Sequence, residues 1–307
     1  MLTPEISVIL PVYNGERFLS DALASLDAQT FRRFEVIAID DGSTDRSGEI
    51  LEKHAGCDSR VRVIRRSNTG IVGALNEALA LAQGEFAARM DADDICMPER
   101  FASQITYLRT HLDCVAVGGE VMFIDPTARP LIGSQLAHDH DAILKELLAG
   151  NGGALVHPAV MFRRSAVVAA GAYREEFRYV EDLELYLRLS SRGRLANLPE
   201  TVLHYRQHLS SINHRIGVRL ELTHRAVAPY RAARGLPALK MDSAPSYPVE
   251  HADWCRHWAY DAMRGGFRTS AVANAWQALR LAPADRRNWR CLRYILASLY
   301  PGYACQL

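Results

Sequence analysis

The sequence predicts an α/β fold in which a mostly parallel sheet is flanked by helices. Two features of its first half support this class. Short, nearly continuous apolar runs, which are typical of strands covered on both faces, alternate with segments whose apolar residues recur at helical spacing. Such alternation favours right-handed crossovers between parallel strands. The 307 residues are also enough for one large α/β domain with an appendage.

The predicted elements follow one another closely in the first half of the chain. We predict strands at residues 6–12, 34–39, 61–64 and 84–88, and helices at residues 16–29, 44–55 and 71–82 and from Pro98 onward. Ser43 or Thr44 is the expected N-cap of the second helix, and Asp40 is expected to form an Asx turn ahead of it. Further helices are predicted at residues 218–234, 252–263, 270–281 and 286–296, with a proline-containing connector at residues 235–248.

Charge divides the chain near residue 215, although its net charge is only +1. Residues 215–307 contain 14 Lys and Arg against 6 Asp and Glu, whereas the rest of the chain contains 22 against 29. We therefore predict an α/β domain at residues 1–214 and a basic helical region at residues 215–307. Because the α/β domain is net acidic, a nucleic-acid partner is disfavoured.

The sequence has neither a membrane-spanning run nor the pattern of a secretory signal. No apolar run reaches the roughly 18 residues that a membrane span requires, and the N-terminus lacks a basic segment followed by an apolar one. The six cysteines lie far apart without a Cys-x-x-Cys pair, which suits reduced thiols better than a disulfide framework or a zinc site. We therefore expect a cytoplasmic protein.

Three carboxylates directly follow the predicted strand at residues 84–88. Asp91 and Asp93 would lie on the same side of an extended chain, with Asp94 beside them. Carboxylates this close repel one another unless a cation or a set of donors offsets the repulsion. Hard oxygen ligands favour Mg²⁺ or Mn²⁺, ions that bridge protein carboxylates to diphosphates. The alternative is a solvated acidic turn ahead of the helix that Pro98 begins.

Polar and aromatic residues stand at the ends of three predicted strands. Pro11 and Tyr13 end the first, Asp41 follows the second, and the acidic cluster follows the fourth. Because ligands of parallel α/β sheets bind at the carboxyl ends of the strands, these groups are expected to share one site. The sequence has no Gly-x-Gly-x-x-Gly after the first strand and no Gly-x-x-x-x-Gly-Lys-Ser/Thr motif. A dinucleotide dehydrogenase and a P-loop phosphotransferase are therefore disfavoured.

Seven short motifs occur in a fixed order, at residues 7–14 (SVILPVYN), 40–45 (DDGSTD), 68–76 (NTG followed by ALN), 88–94 (ARMDADD), 157–158 (HP), 181–186 (EDLELY) and 205–211 (YRQHLSS). Together they resemble family 2 glycosyltransferases of the GT-A fold, over roughly residues 4–213. The resemblance implies a Rossmann-like sheet with a nucleotide-sugar-binding half at about residues 1–115 and an acceptor half at about residues 116–214. It also implies an inverting transfer from a nucleotide-sugar, usually a UDP-sugar, assisted by Mn²⁺ or Mg²⁺.

The resemblance implies a donor site at the ends of the first strands. It places uracil and ribose against Pro11, Tyr13 and Asp41, with Glu16 nearby. An aromatic ring and a carboxylate that accepts from imide or hydroxyl groups suit that task. Asn68 would contact the base or fix its own loop. Arg89 would meet the diphosphate or pair with the adjacent carboxylates.

The same resemblance assigns the metal ligands and the base. Asp93 would bind the metal directly and Asp91 would support it through water or the ribose, while His208 would complete the site or be a polar surface residue. An inverting displacement also needs a base for the acceptor hydroxyl, and the resemblance gives this role to Asp182. Glu181 would lie beside the acceptor and His157 would shape the acceptor-side wall. The alternative for the two acids is that they only favour a helix N-terminus.

The acceptor is predicted to be a glycan or a lipid-linked glycan. The last predicted helix interleaves arginines with Trp289 and Tyr294, a pattern compatible with peripheral association with the inner face of an anionic membrane. The alternative is a helical appendage that packs on the first domain or on a second subunit. Two other function classes stay open, a non-catalytic nucleotide-sugar-binding protein and a sugar nucleotidyltransferase.

Overall fold

The computed structural model describes residues 3–209, 216–240 and 250–299, and the side chains of α8 from residue 219 onward. Its strands are β1 (Ile6–Val12), β2 (Phe34–Asp40), β3 (Val61–Arg65), β4 (Phe86–Arg89), β5 (Ile95–Cys96), β6 (Cys114–Ile124), β7 (Pro130–Gly133), β8 (Met161–Arg163) and β9 (Arg194–Arg206). Its α-helices are α1 (Leu19–Asp27), α2 (Ser47–Ala55), α3 (Ile71–Leu81), α4 (Arg100–Thr110), α5 (His140–Leu148), α6 (Arg164–Ala169), α7 (Glu181–Leu189), α8 (Ile216–Ala232), α9 (His251–Arg264), α10 (Arg268–Leu281) and α11 (Arg286–Leu299).

The chain divides into two compact units. Unit 1 comprises Met1–Val121, Gln135–His204 and Ile216–Asp242, and unit 2 comprises Met122–Ser134, Tyr205–Arg215 and Ser243–Leu307. This division differs from the predicted boundary at residue 215, because α8 belongs to unit 1. There Ala226 and Val227 join the main hydrophobic core. Part of the predicted connector at residues 235–248 lies outside the described residues.

Unit 1 is built on a central sheet whose strand order is β3-β2-β1-β4-β8-β6-β9-β5. β1, β2, β3 and β4 pair in parallel, and β8 joins β4 in the antiparallel direction. Every residue of β1 is buried, as expected for a strand covered on both faces. The α/β class with helices flanking a mostly parallel sheet is confirmed. The antiparallel pairs beyond β4 are an addition that the sequence did not predict.

The core of unit 1 packs α3, α5 and α7 against one another and the sheet. Leu75, Leu147 and Leu183 are fully or almost fully buried in this core. Each burial contributes about 1.5–3 kcal/mol relative to an exposed side chain. The carboxyl ends of β1, β2 and β4, which carry the predicted donor residues, are therefore supported by a well-packed core.

Three details near the carboxyl ends of β1 and β2 differ from expectation. The predicted N-cap of α2 is wrong, because the Ser43 hydroxyl accepts from the backbone N–H of Asn14 (3.0 Å) and α2 begins at Ser47 without a side-chain cap. The first helix begins at Leu19 instead of residue 16, because the Gly15 carbonyl first closes a turn with Phe18. The Asp40 carboxylate does close the turn ahead of α2, but it accepts from the backbone N–H of Ser43 (2.9 Å), three residues on, instead of the residue two positions on that an Asx turn requires.

Unit 2 packs three helices around the β7 hairpin. Trp258 of α9, Ala275 of α10 and Ile295 of α11 form a core with Leu131 of β7. A buried Asn274 side chain donates to the Asp125 carboxylate (3.0 Å) and so ties α10 to the turn after β6. Among the described residues, no helix is both long and apolar enough to cross a membrane.

Candidate active site

The acidic cluster lies where β4 ends between β1 and β8. One carboxylate oxygen from each of Asp91, Asp93 and Asp94 lies within 4.8 Å of the others. Asp94 is buried and the other two are half-buried. Three hard oxygen donors this close, at the mouth of a sheet, fit a divalent cation such as Mg²⁺ or Mn²⁺. The structure therefore brings together the predicted carboxylates.

Arg89, the last residue of β4, supplies a buried positive charge behind this cluster. Its guanidinium forms an ion pair with the Asp91 carboxylate. Burial opposes the charged form, but the Asp91 carboxylate more than compensates and raises the pKa of Arg89. Of the two alternatives, the structure shows pairing with a carboxylate, and a diphosphate contact stays a prediction.

The two predicted acceptor-side acids stand at the start of α7. The Glu181 carboxylate accepts from the backbone N–H of Tyr179 (2.7 Å), and Asp182 accepts from that of Leu183 (2.7 Å). Burial, followed by the adjacent Asp182 charge, raises the pKa of Glu181 to about 7. Burial also raises the pKa of Asp182, and the nearby charges of Arg219 and Arg89 limit that rise.

The position of Asp182 is open on the side of Gly152. A Cβ built on Gly152 would lie 3.5 Å from both oxygens of the Asp182 carboxylate. The glycine therefore leaves room beside these oxygens that a larger side chain would fill. This space and the raised pKa are both properties that a general base requires.

His157 lies in a buried aromatic wall next to these acids. Its Nε2 lies 2.9 Å from the hydroxyl of Tyr173, and its ring faces the edge of the Tyr186 ring. Burial, with the charge of Arg89, lowers the pKa of His157, so the imidazole is neutral near pH 7. The wall was predicted for His157, whereas neither tyrosine was singled out, since both look like ordinary core aromatics in the sequence.

The predicted nucleoside residues lie around the carboxyl ends of β1 and β2. Tyr13 is 54% exposed directly after β1, while Pro11 is buried within that strand. Asp41 is buried, and its two oxygens accept from the backbone N–H groups of Thr69 (3.0 Å) and Gly70 (2.8 Å). The carboxylate thus holds the loop that carries the exposed Asn68. Contacts of these residues with a nucleoside stay predictions.

Glu16 has a visible structural role beside this region. Its carboxylate accepts from the backbone N–H of Arg46 (3.0 Å), at the N-terminal end of α2. Its own backbone N–H donates to the Asp45 carboxylate (3.0 Å). The side chain therefore links the turn after β1 to the start of α2, and its predicted donor contact is not tested by this geometry.

Two arginines that the sequence did not single out hold the same loops. Arg66 donates to the Asp41 carboxylate (2.7 Å) and also pairs with Glu77 (2.7 Å). Arg178 donates to the carbonyl of Thr69 (3.0 Å) and so joins the turn before α7 to the loop after β3. Their partners are far away in the chain, so no local motif could have indicated these contacts.

His208 belongs to unit 2, directly after β9. The preceding Gln207 donates its backbone N–H to the carbonyl of Ile124 (2.9 Å), and its side chain accepts from the Trp258 indole (2.9 Å). These contacts hold the segment that carries His208 within unit 2. The metal role of His208 stays a prediction.

Comparison with known sequences identifies relatives of one kind. The family model described as Glycosyl transferase family 2 matches residues 7–169. An uncharacterized glycosyltransferase of Haemophilus influenzae is 33% identical over 67% of this chain and 66% of its own length. The amylovoran biosynthesis glycosyltransferase AmsE of Erwinia amylovora is 33% identical over 69% of this chain and 79% of its own length. The putative glycosyltransferase EpsE of Bacillus subtilis is 31% identical over 66% of this chain and 73% of its own length.

Solved structures with the same fold cover nearly the whole chain. The S. aureus TarS 1-349 structure in complex with UDP-GlcNAc has a TM-score of 0.59 at 18% identity and covers 95% of this chain and 87% of that one. The mannosyltransferase PcManGT from Pyrobaculum calidifontis, in complex with GDP-Man and Mn²⁺, has a TM-score of 0.56 at 17% identity. The match covers 99% of this chain and 83% of that one. At these identities the likeness is one of fold.

Proposed function

Because the chain belongs to glycosyl transferase family 2, we propose that it moves a sugar from a nucleotide-sugar to an acceptor hydroxyl, with inversion at the anomeric carbon. One observation carries this proposal. The Asp91–Asp93–Asp94 cluster and the Glu181–Asp182 pair belong to one unit. The buried Arg89 guanidinium pairs with Asp91 of the cluster, and its charge limits the rise in pKa of both acids of the pair.

On the donor side, the protein's own residues bind and orient the leaving group. Asp93 and Asp91 are the proposed ligands of Mg²⁺ or Mn²⁺, and their clustered oxygens fit such an ion. When bound there, the ion supplies positive charge for the departing diphosphate. Arg89 orients the Asp91 carboxylate by its ion pair. Tyr13 and Asn68, both exposed, are the proposed contacts of the nucleoside.

On the acceptor side, Asp182 is the proposed base. It would take the proton of the acceptor hydroxyl as that oxygen attacks the anomeric carbon and the bond to the diphosphate oxygen breaks. Its raised pKa makes it a stronger base than an ordinary aspartate. Glu181 is the proposed neighbour of the acceptor, and the neutral His157 contributes to the wall.

The nature of both substrates is part of the proposal. A UDP-sugar is our preferred donor, and the bound UDP-GlcNAc of the TarS structure supports it. Because PcManGT binds GDP-Man, a GDP-sugar is the alternative donor that the experiment below includes. The name of AmsE supports a role in polysaccharide biosynthesis. We propose a glycan on a lipid carrier as the acceptor, and action at the cytoplasmic face of a membrane.

A thermal-shift panel tests the donor and metal site together. The full chain is heated with UDP-, GDP- and dTDP-sugars, each with and without Mn²⁺, and with Mn²⁺ alone. A ligand at a hundredfold excess over its dissociation constant adds about 2.7 kcal/mol to the stability. We expect a metal-dependent shift with one nucleotide class that Asp93→Ala abolishes.

The matched control is a second cluster of potential ligands, Asp27, His54 and Asp58, whose oxygens and imidazole nitrogen also lie within 4.8 Å of one another. Arg60 already pairs with Asp58 there (2.7 Å), so Asp58→Ala should keep the donor shift. The absence of a shift with every donor would overturn the proposal. Release of pyrophosphate from a sugar phosphate and a nucleoside triphosphate would instead indicate a nucleotidyltransferase.

A further inference from the structure

Helix α11 has one face in the core of unit 2 and another in solvent. Asn288, Cys291, Leu292 and Ile295 are buried and pack toward α9 and α10. These positions recur at helical spacing and account for the anchored face. The helix contains no acidic residue. Its opposite face is therefore available to a partner and carries charge of one sign.

Three arginines line this outward face. Arg286, Arg290 and Arg293 follow the i, i+4, i+7 spacing that places side chains on one stripe of a helix. All three are exposed, and within the described part of the chain none of them has an ion pair or a side-chain hydrogen bond. By contrast, the neighbouring Arg287 pairs with Asp285 (2.8 Å) and Asp253 (3.5 Å).

Large aromatic side chains flank the arginine stripe on both sides. Trp289 is 47% exposed on one side and Tyr294 is 57% exposed on the other. Trp289 donates its indole N–H to the carbonyl of Pro283 (2.9 Å), and Tyr294 contacts the ring of Tyr260 on α9 (5.8 Å between centroids). The rings are thus held in place while their faces remain in contact with solvent.

We propose that this stripe docks the protein on a bilayer surface that contains anionic phospholipid. Three unpaired arginines on one stripe complement a layer of phosphate groups, and each cation near such a surface strengthens binding. Tryptophan and tyrosine partition to the headgroup level, where one end of the ring is apolar and the other is wet. A nucleic acid offers the same phosphates but no boundary between hydrocarbon and water, so the exposed tryptophan and tyrosine beside the stripe favour the bilayer.

Docking would have a consequence for the transfer reaction, and this part rests on the proposed function. An acceptor on a lipid carrier is confined to the membrane surface. An enzyme held at that surface meets it at a raised effective concentration without any new contact in the active site. The stripe would therefore act on acceptor use alone and leave donor binding unchanged.

Vesicle partitioning tests the surface directly. The full chain is sedimented with vesicles of phosphatidylglycerol and phosphatidylcholine in equal amounts, and with pure phosphatidylcholine. We expect binding only to the anionic vesicles, weakening as salt is added. The variant Arg286→Gln/Arg290→Gln/Arg293→Gln should partition roughly 100-fold less, from about fivefold for each arginine.

A charge-matched variant separates the stripe from net charge. Arg62, Lys145 and Arg192 are exposed residues of unit 1, and their replacement by Gln removes the same charge. This control should keep full vesicle binding, and both variants should unfold at the temperature of the parent. Equal loss in both variants, or equal binding to neutral vesicles, would overturn the proposal. So would tighter binding of a single-stranded oligonucleotide that the stripe variant loses.

The donor thermal shift, measured on the same samples, distinguishes the two proposals. If the parent protein shows a donor shift but does not bind vesicles, only the docking proposal is overturned. If the parent protein binds vesicles but shows no donor shift, the proposed function is overturned and the docking proposal stands.

Discussion

Two sets of arginines in this chain act in opposite ways. In unit 1, Arg89 and Arg188 are buried and pair with carboxylates, Arg89 with Asp91 and Arg188 with Glu184 (2.8 Å). In unit 2, the stripe on α11 places Arg286, Arg290 and Arg293 in solvent without such partners among the described residues. The same cation is a fixed internal support in one set and an open binding group in the other.

The difference follows from the free energy of desolvation. A buried ion pair adds little net stability, because removal of both charges from water offsets their attraction, but the loss of one partner is costly. Buried arginines therefore fix geometry, which suits residues next to a metal and base site. Exposed arginines keep their hydration and lose it only when an anion arrives. We therefore expect changes at the buried arginines of unit 1 to alter chemistry and stability, and changes in the α11 stripe to alter association only.

Asp182→Asn should have the largest effect. It removes the proposed base and keeps the shape of the side chain, so kcat should fall by roughly 10²–10⁴-fold. Because burial raises the pKa of Asp182, the neutral amide should not reduce stability. Initial rates of nucleoside diphosphate release, with a saturating donor and acceptor, measure this effect.

The control for Asp182→Asn is Asp21→Asn, which removes another acid in the first turn of a helix, α1. If both acids only favour helix N-termini, the two variants should behave alike, with a small loss of stability and unchanged kcat. A parent-like kcat in Asp182→Asn would exclude that residue as the base.

Arg89→Leu should cause the next largest effect. It leaves Asp91 without its buried partner, which destabilises by about 3–5 kcal/mol. Arg188→Leu, which breaks the buried pair with Glu184 away from the acidic cluster, should destabilise to a similar extent. Urea denaturation measures both.

The two arginine variants should differ in metal binding. Only Arg89→Leu should change the thermal shift produced by Mn²⁺, because Asp91 then lacks its orienting cation. If Mn²⁺ produces equal thermal shifts in the two variants, Arg89 has a purely structural role.

The contrast between units also marks what could be predicted from the sequence. The strand ends that bear Asp41 and Asp91, and the acids at the start of α7, were predictable because each depends on a local pattern. The raised pKa of Glu181 was not, since it follows first from burial by the folded chain. The role of Arg66 was not either, since its partner Asp41 is distant in the chain. Ser43 shows the same limit, because its hydroxyl accepts from the backbone N–H of Asn14, which is distant in the chain, instead of capping its own helix.

Unit boundaries were harder to predict than chemistry. The charge asymmetry indicated a division near residue 215, yet α8 joins the core of unit 1 through Ala226 and Val227. Charge describes the surface of a helix, whereas membership in a unit depends on its apolar contacts. The basic stripe on α11 was visible in the sequence, but its outward orientation required knowledge of the buried face.

The pH dependence of stability should identify the buried acid pair. The folded pKa of Glu181, about 7, exceeds its ordinary value of 4.5, so the folded state binds the proton more tightly than the unfolded chain. Stability contributed by this group is therefore present below pH 4.5 and lost as pH rises to about 7, by about 3 kcal/mol in total. Glu181→Gln should remove this decline.

The measurement is the difference between the parent and Glu181→Gln in urea denaturation at several pH values, which cancels the contributions of other groups. Glu52→Gln, which changes an exposed glutamate of α2, serves as the control and should follow the parent curve. A parent curve that is flat relative to Glu181→Gln between pH 4.5 and 7 would contradict burial of an acid at the start of α7.

The smallest expected effect concerns the hydrogen bond from Arg178 to the loop after β3. Gly70 has φ +91°, and a Cβ there would lie 2.5 Å from the Arg178 guanidinium. Its ψ of 170° adds to this a backbone conformation that is essentially open to glycine alone, which costs Gly70→Ala about 1–3 kcal/mol. Gly70→Ala should destabilise by roughly 1 kcal/mol beyond this backbone cost, because it displaces Arg178 from the Thr69 carbonyl.

A double-mutant cycle tests the assignment of this additional destabilisation. In an Arg178→Ala background, Gly70→Ala should destabilise by roughly 1 kcal/mol less than it does in the parent, since the displaced hydrogen bond no longer exists. If the two values are equal, the additional destabilisation by Gly70→Ala does not come from the hydrogen bond of Arg178. A smaller value would show that an arginine in the turn before Asp182 is held by the loop that carries Asn68, which makes it a physical link between the proposed donor and acceptor sides.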